Sequence, residues 1–515
     1  MIESKKLKGM DRRDFLTKGI QAGAVLVSLP LWTKGALGGN PGALLGGPDA
    51  AKAFLSKEDL KKLLEAALSK GGDFAEIYCE HTVQNGISLD EEKISTATRG
   101  LDMGVGFRVI KGEKTGYAFS DDLDPAKLKE AALTAALIAD SRVSATAMSL
   151  KPVSPPSFYL VDTAPDGVAA RLKADLLLKA NAAGRAVDKR ITQFRANFSD
   201  TTKRITIANS EGLFAEDTQT LTGFTTSALA LEGKQRSFGY ENKAGAFGFE
   251  HFGMNVAEEF GRKAAEMAVR NLPAEDAPAG EFPIVIARGY GGIFFHEAIG
   301  HSLEADGIRK KTSVFWDKLG KPIATPAVTL LDDGTWKGGW GSVNVDDEGQ
   351  IGRKTVLIDK GICAAFLQDK LSAGLMKMER TGNGRRQSFR FPPIPRMTNT
   401  YLLAGSADPA DIVKSIDKGI YIAKIGGGNV DPTTGRFVFS VSEGSMIEGG
   451  KVTKPLKGIM LMGSGQDVLM NISLVANDML VIGGGTCGKD GQGKPVGFGN
   501  PTLKVDKITV GGQRA

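Results

Sequence analysis

The chain has 515 residues, 42% hydrophobic and 24% charged, enough for two or three domains of ordinary size with a core that needs no disulfide framework. Its net charge of +6 is concentrated at the N-terminus, because residues 1–39 hold seven Lys/Arg against three Asp/Glu and so account for +4. The remainder is nearly balanced, so nothing in it demands nucleic acid, and no stretch after residue 40 has the length and apolarity of a membrane span.

In chain order, the first feature is an address. Asp11-Arg12-Arg13-Asp14-Phe15-Leu16 precedes a moderately apolar stretch from Ile20 to Trp32. A charged region followed by a short apolar one is the pattern of a secretory signal, and the arginine pair points to the twin-arginine route. Residues 1–38 are expected to be that signal and 39–55 a Gly/Ala/Pro-rich linker. Export to a periplasmic or other extracytoplasmic space follows, with no stable membrane insertion once the signal is removed.

An N-terminal α/β domain is expected over 56–140. Ser56 can cap a helix running to about Lys70, with Leu60, Leu63, Leu64, Ala67 and Leu68 at helical spacing. Strands are expected over 74–83 and 86–96, joined in a tight hairpin at Asn85-Gly86, whose residues tolerate positive φ. Two more, near 103–110 and 115–120, flank Lys111-Gly112-Glu113-Lys114, and a helix from Pro125 to about Ala139 follows. The Ser/Pro-rich segment 141–157 reads as a domain boundary. A central α/β domain over 158–272 carries helices near 168–187 and 255–271 and strands near 191–199, 203–209 and 213–232. A second linker, PAEDAPAG, occupies 273–280. From 281 to 515 glycine is dense and turn signals recur, which predicts a mostly antiparallel β domain with one important helix. The fold class is therefore α+β. The basic run RTGNGRRQSFR (380–390) reads as a solvated or structural loop rather than an anion site. GGGTCGKDGQG (483–493) lacks the strand–turn–helix setting of a dinucleotide or phosphate loop.

The chemistry lies in the helix that follows the buried strand FPIVIA (282–287). It reads IFFHEAIGHSLEAD and places two of the chain's four histidines around a glutamate as His-Glu-x-x-x-His. Neutral imidazoles ligate zinc well, and a carboxylate beside a ligand can take a proton from the metal's water. His296 and His301 are thus candidate zinc ligands and Glu297 the candidate general base. Residues five apart on an α-helix point about 140° from each other, so a regular helix cannot aim both histidines at one ion. A one-residue π-bulge would correct this, and Gly300 makes the distortion cheap. A peptidase zinc usually has a third protein ligand. The candidates are Glu304, Asp306, His251, His81 and the three cysteines, Cys79, Cys363 and Cys487. Cys487 stands out because the glycines around it would expose its sulfur, and Glu304 reads first as a partner of His301.

HEAIGHSLEAD, followed far downstream by GTCGKDGQGKPVGFGNPTLKV, resembles the TldD side of the TldD/PmbA metallopeptidases, and PRMTNTYLLAG (395–405) is similar to another stretch of that family. The likeness spans roughly residues 56–512. It implies an N-terminal α/β region and a β-rich C-terminal domain holding one zinc ion on His296, His301 and Cys487, with Glu297 catalytic. It also implies cleavage of small unfolded polypeptides or peptide precursors, and a homodimer or a heterodimer with a PmbA-type subunit that lacks the motif. The export signal departs from the better-known cytoplasmic members. A non-catalytic peptide-binding partner and a thiol redox protein are the competing classes. The intact histidine–glutamate motif argues against the first, and the absence of any Cys-x-x-Cys against the second.

Overall fold

The computed structural model describes residues 55–139 and 146–512. The expected signal segment and nearly all of the expected first linker lie outside these residues. Among the described residues, no helix is long and apolar enough to cross a membrane.

The first half of the chain builds one seven-stranded sheet with the order Lys114–Ser120, Lys93–Lys111, Phe74–Asp90, Ile191–Asn209, Leu213–Glu232, Lys151–Val153, and with Gln235–Gly245 also on Leu213–Glu232. Phe74–Asp90 and Ile191–Asn209 pair over fifteen positions, from Glu76 opposite Asn209 to Asp90 opposite Arg195. The segments 56–140 and 158–272 thus contribute adjacent strands to a single sheet.

The hairpin expected at Asn85-Gly86 does not form there. Both residues continue the strand, paired on one side with Arg99 and Thr98 and on the other with Asp200 and Ser199. The chain turns instead at Glu91 and Glu92, both at positive φ. A strand bonded along both edges overrides a local turn preference, and Asn85 uses its side chain to bond Asp200 at 2.7 Å. Ile191–Asn209 likewise runs through the break expected near residue 200, where buried Asp200 pairs with Lys173 of the helix Ala170–Arg185.

Alternation along Phe74–Asp90 sets the layers. Ala75, Ile77 and Cys79 face the helices Lys57–Ala67 and Pro125–Ala136, capped by Ser56 and Asp124. Farther along the sheet, Phe194, Ala196 and Phe198 pack under Ala170–Arg185 and Met254–Arg270. Tyr78 points the other way, with Ile205 and Ile207, onto Val345 and Phe389 of the C-terminal half.

That half holds the largest core, between two further sheets. The six-stranded one ends on the hairpin Leu480–Lys489 and Gln492–Asn500, turning at Asp490-Gly491 with both residues at positive φ. In the eight-stranded one, Gly280–Ile286 lies parallel to Lys418–Asp431 and antiparallel to Leu503–Gly511. The expected linker 273–280 is part of this sheet, since Glu275–Asp276 pairs with Leu456 and Lys457.

Candidate metal centre

The strand Gly280–Ile286 feeds the motif segment, which winds as one α-helical turn over Gly292–Phe295, a π-helical turn over His296–Gly300 and a 3-10 turn over His301–Leu303. A π turn adds a residue per turn, so positions five apart return to one side. Gly300 itself is in ordinary helical geometry, at φ −57° and ψ −48°. Glycine is needed there for space, because a Cβ would stand 2.0 Å from Met397 Sδ. At the other end, a Cβ on Gly292 would meet the backbone nitrogen of Gly499 at 2.2 Å. The motif therefore seats directly on Gln492–Asn500, the strand that carries the Cys487 strand as its neighbour.

This packing brings His296, His301 and Cys487 together, with one potential ligand atom from each lying within 4.8 Å of the others. Cys487 Sγ is 3.1 Å from His301 Nε2. The histidine rings stand nearly perpendicular, 5.2 Å between centroids. Cys487 is only 2% exposed, so its glycine neighbours do not expose the sulfur as the sequence suggests. Burial would raise the Cys487 thiol, but the imidazoles of His296 and His301 hold it down to about 4. Arg396, itself fully buried, donates to the Cys487 carbonyl at 2.5 Å and to the Gln492 carbonyl at 3.1 Å, pinning the hairpin from behind.

Glu304 bonds His301 Nδ1 through Oε2 at 2.9 Å, which turns Nε2 toward Cys487. Lys489 reaches the same oxygen at 3.0 Å and Asp306 at 2.7 Å. Burial pushes the Glu304 carboxyl up, yet Lys489 and His301 bring it down to about 2. Burial pulls His301 down, and Glu304 and Cys487 carry it well above its ordinary value. Glu297 sits at the mouth, its Oε2 3.8 Å from His301 Nε2 and its side chain 28% exposed. It lines a cleft of about 400 Å³ with His301, Lys310, Asn429 and Asp490.

The other ligand candidates are elsewhere. His81 lies on Phe74–Asp90 in the first sheet, and His251 stacks on Phe247 at 4.6 Å. Cys79 and Cys363 are in apolar cores, where burial pushes both thiols up to about 12. The donor set, two imidazoles and a thiol, suits zinc. Both ring nitrogens of His296 are buried without a hydrogen bond, which leaves a lone pair unused inside the protein. Lys489 and Arg396 escaped the sequence reading. The signal for Lys489 was its place two residues beyond Cys487 on an alternating strand.

Three models of one family match consecutive parts of the chain: PmbA/TldA metallopeptidase domain 1 over residues 75–139, the central domain over 164–272 and the C-terminal domain over 279–512. A metalloprotease TldD homolog of Haemophilus influenzae is 39% identical over 468 residues, covering 89% of this chain and 97% of that protein. A zinc metalloprotease TldD homolog of Saccharolobus solfataricus is 27% identical over 464 residues, 88% of this chain and 99% of that protein. The crystal structure of TldE from Thermococcus kodakarensis shares the fold, with a TM-score of 0.69 at 20% identity, over 88% of this chain and 99% of that one. On the extent of these matches, the chain belongs to the PmbA/TldD metallopeptidase family.

Proposed function

We propose that the chain is a zinc peptidase that hydrolyses peptide bonds in small unfolded polypeptides or peptide precursors, with Glu297 as general base. The observation that carries this reading is the convergence of His296, His301 and Cys487 beside a carboxylate at the mouth of an open cleft. His296, His301 and Cys487 would hold a zinc ion, which when bound would supply a Lewis acid that lowers the pKa of a water toward about 7. Glu297 Oε2 accepts the proton of the attacking water and returns it to the leaving amine. Glu304 holds the His301 ring by Nδ1, and Arg396 holds the Cys487 backbone.

The preference for unfolded substrate rests on the sheet edge. Leu480–Lys489 is the terminal strand of its sheet, and Thr486 and Gly488 beside Cys487 are exposed. The Gly483, Gly485 and Cys487 carbonyls already accept from Asn242, Trp340 and Arg396. A peptide would therefore be held at the end of that edge, by Gly488 and Asp490 beside the cleft, through main-chain hydrogen bonds that do not read side chains and that only an extended segment can take. Family membership supports a second copy or a PmbA-type subunit as partner. The Arg12-Arg13 signal supports export by the twin-arginine route to an extracytoplasmic space.

Replacing the cysteines one at a time tests the centre. Cys487→Ala removes a ligand and is expected to lower zinc content and peptide hydrolysis together. Cys79→Ala and Cys363→Ala, whose sulfurs are not among the grouped ligand atoms, are expected to keep both. Equal zinc in Cys487→Ala and the unaltered chain, by elemental analysis after dialysis, would contradict the assignment.

A further inference from the structure

Lys489 lies two residues beyond Cys487 on the strand Leu480–Lys489, so the two side chains leave that strand on the same face. Cys487 reaches His301 Nε2 at 3.1 Å, while Lys489 reaches, at 3.0 Å, the Glu304 oxygen that bonds His301 Nδ1. One strand therefore grips both sides of the same imidazole, directly through sulfur and indirectly through a carboxylate. Lys489 is anchored further by Asp306 Oδ1 at 2.7 Å and by the carbonyl of Pro395 at 3.3 Å. Glu304 has few other holds. Its side chain is 1% exposed and its second oxygen, Oε1, has no hydrogen-bond partner. Take away the ammonium, and the carboxylate keeps as its side-chain hydrogen-bond partner only the imidazole it is meant to orient, with the Arg396 charge nearby.

We propose that Lys489 is a positioning residue of the metal centre: it fixes Glu304, which aims His301, and so couples the seating of the Cys487 strand to the aiming of the histidine ligand. The proposal rests on the zinc reading. It assigns Lys489 no contact with substrate or with the reacting atoms.

The test is a double-mutant cycle read as zinc affinity, by competition between the full chain and a chromophoric chelator. Lys489→Met is expected to weaken zinc binding by about 10- to 100-fold, the usual cost of losing a partner that orients a ligand. Lys489→Arg, which keeps the charge, is expected to recover part of that loss. In a Glu304→Ala background the lysine has no side-chain acceptor left to fix there, so Lys489→Met is expected to add little. Lys489→Gln serves the same cycle if the methionine variant does not fold, because it keeps a donor for Pro395. Equal zinc affinity in Lys489→Met and the unaltered chain overturns the proposal. So does full additivity of the two substitutions, since independent residues add. Failure of the unaltered chain to hold zinc against the chelator is a different outcome, and takes the zinc reading down first.

Discussion

Asp347 shows what individual buried charges do here. It accepts from Lys494 at 2.9 Å and from the Arg386 amide at 2.7 Å, while Arg386 reaches back to Glu76 on the first sheet. Arg108 joins Glu76 at 2.9 Å to Glu348 at 2.7 Å. All of these side chains are buried, and together they tie the strand Phe74–Asp90 to the C-terminal half. Burial pushes the Asp347 carboxyl up, but Lys494, Lys203 and Arg386 bring it down to about 2 from an ordinary 3.8. The unfolded chain therefore takes up this proton at higher pH than the folded one. The stability that Asp347 confers is complete above pH 3.8 and is lost as pH falls toward 2, by about 2 kcal/mol. Denaturant midpoints of the unaltered chain and Asp347→Asn are expected to converge over that interval. A difference independent of pH would contradict the pairing. The run RTGNGRRQSFR is structural, but Arg385 and Arg386 are buried rather than solvated. Their partners could not be read from the run, because Glu76 lies 310 positions away from Arg386.

At the scale of elements, the motif was legible in the sequence because helix geometry forbids five-residue spacing on one face unless the helix is distorted. The π turn over His296–Gly300 supplies the distortion. The reason for Gly300 was not legible, since it depends on Met397 arriving from elsewhere in the chain. Met397 is fully buried, so a methyl at residue 300 forces one side or the other to move. Gly300→Ala is expected to cost about 1–3 kcal/mol of stability and to reduce zinc retention. Adding Met397→Ala is expected to restore part of the zinc. Unchanged stability and zinc in Gly300→Ala, by thermal melting and elemental analysis, would show that the packing at this turn is loose. The helices of the first half were legible in place, with Ala170–Arg185 and Met254–Arg270 within two residues of the expected ends, whereas the short helices Lys370–Met376, Pro409–Lys414 and Gly465–Met470 were not expected. Their periodicity and polar faces are local properties. The misplaced hairpin at Asn85-Gly86 is the converse case, a local signal outvoted by pairing on both edges.

For the whole molecule, the strand-rich C-terminal half was legible, and so was the group of residues that it brings together at His296, His301 and Cys487, while the merging of the first two segments into one sheet was not. Strand pairing across the chain leaves no mark in either segment alone. The N-terminal signal makes a separate prediction about the intact chain: exchanging Arg12 and Arg13 for Lys is expected to leave the protein in the cytoplasm, followed by cell fractionation, and unchanged export would contradict it. The central claim is that the cleft beside His296, His301 and Cys487 cuts peptide bonds with Glu297 as the proton acceptor. Glu297 is near the proposed metal but supplies none of its ligands, so its removal separates catalysis from metal binding. The most direct measurement is peptide hydrolysis by Glu297→Ala with its zinc content determined on the same sample. Full zinc occupancy with activity reduced about 100-fold or more is the result predicted from the loss of a general base. Near-normal turnover in the zinc-replete variant would contradict the mechanism.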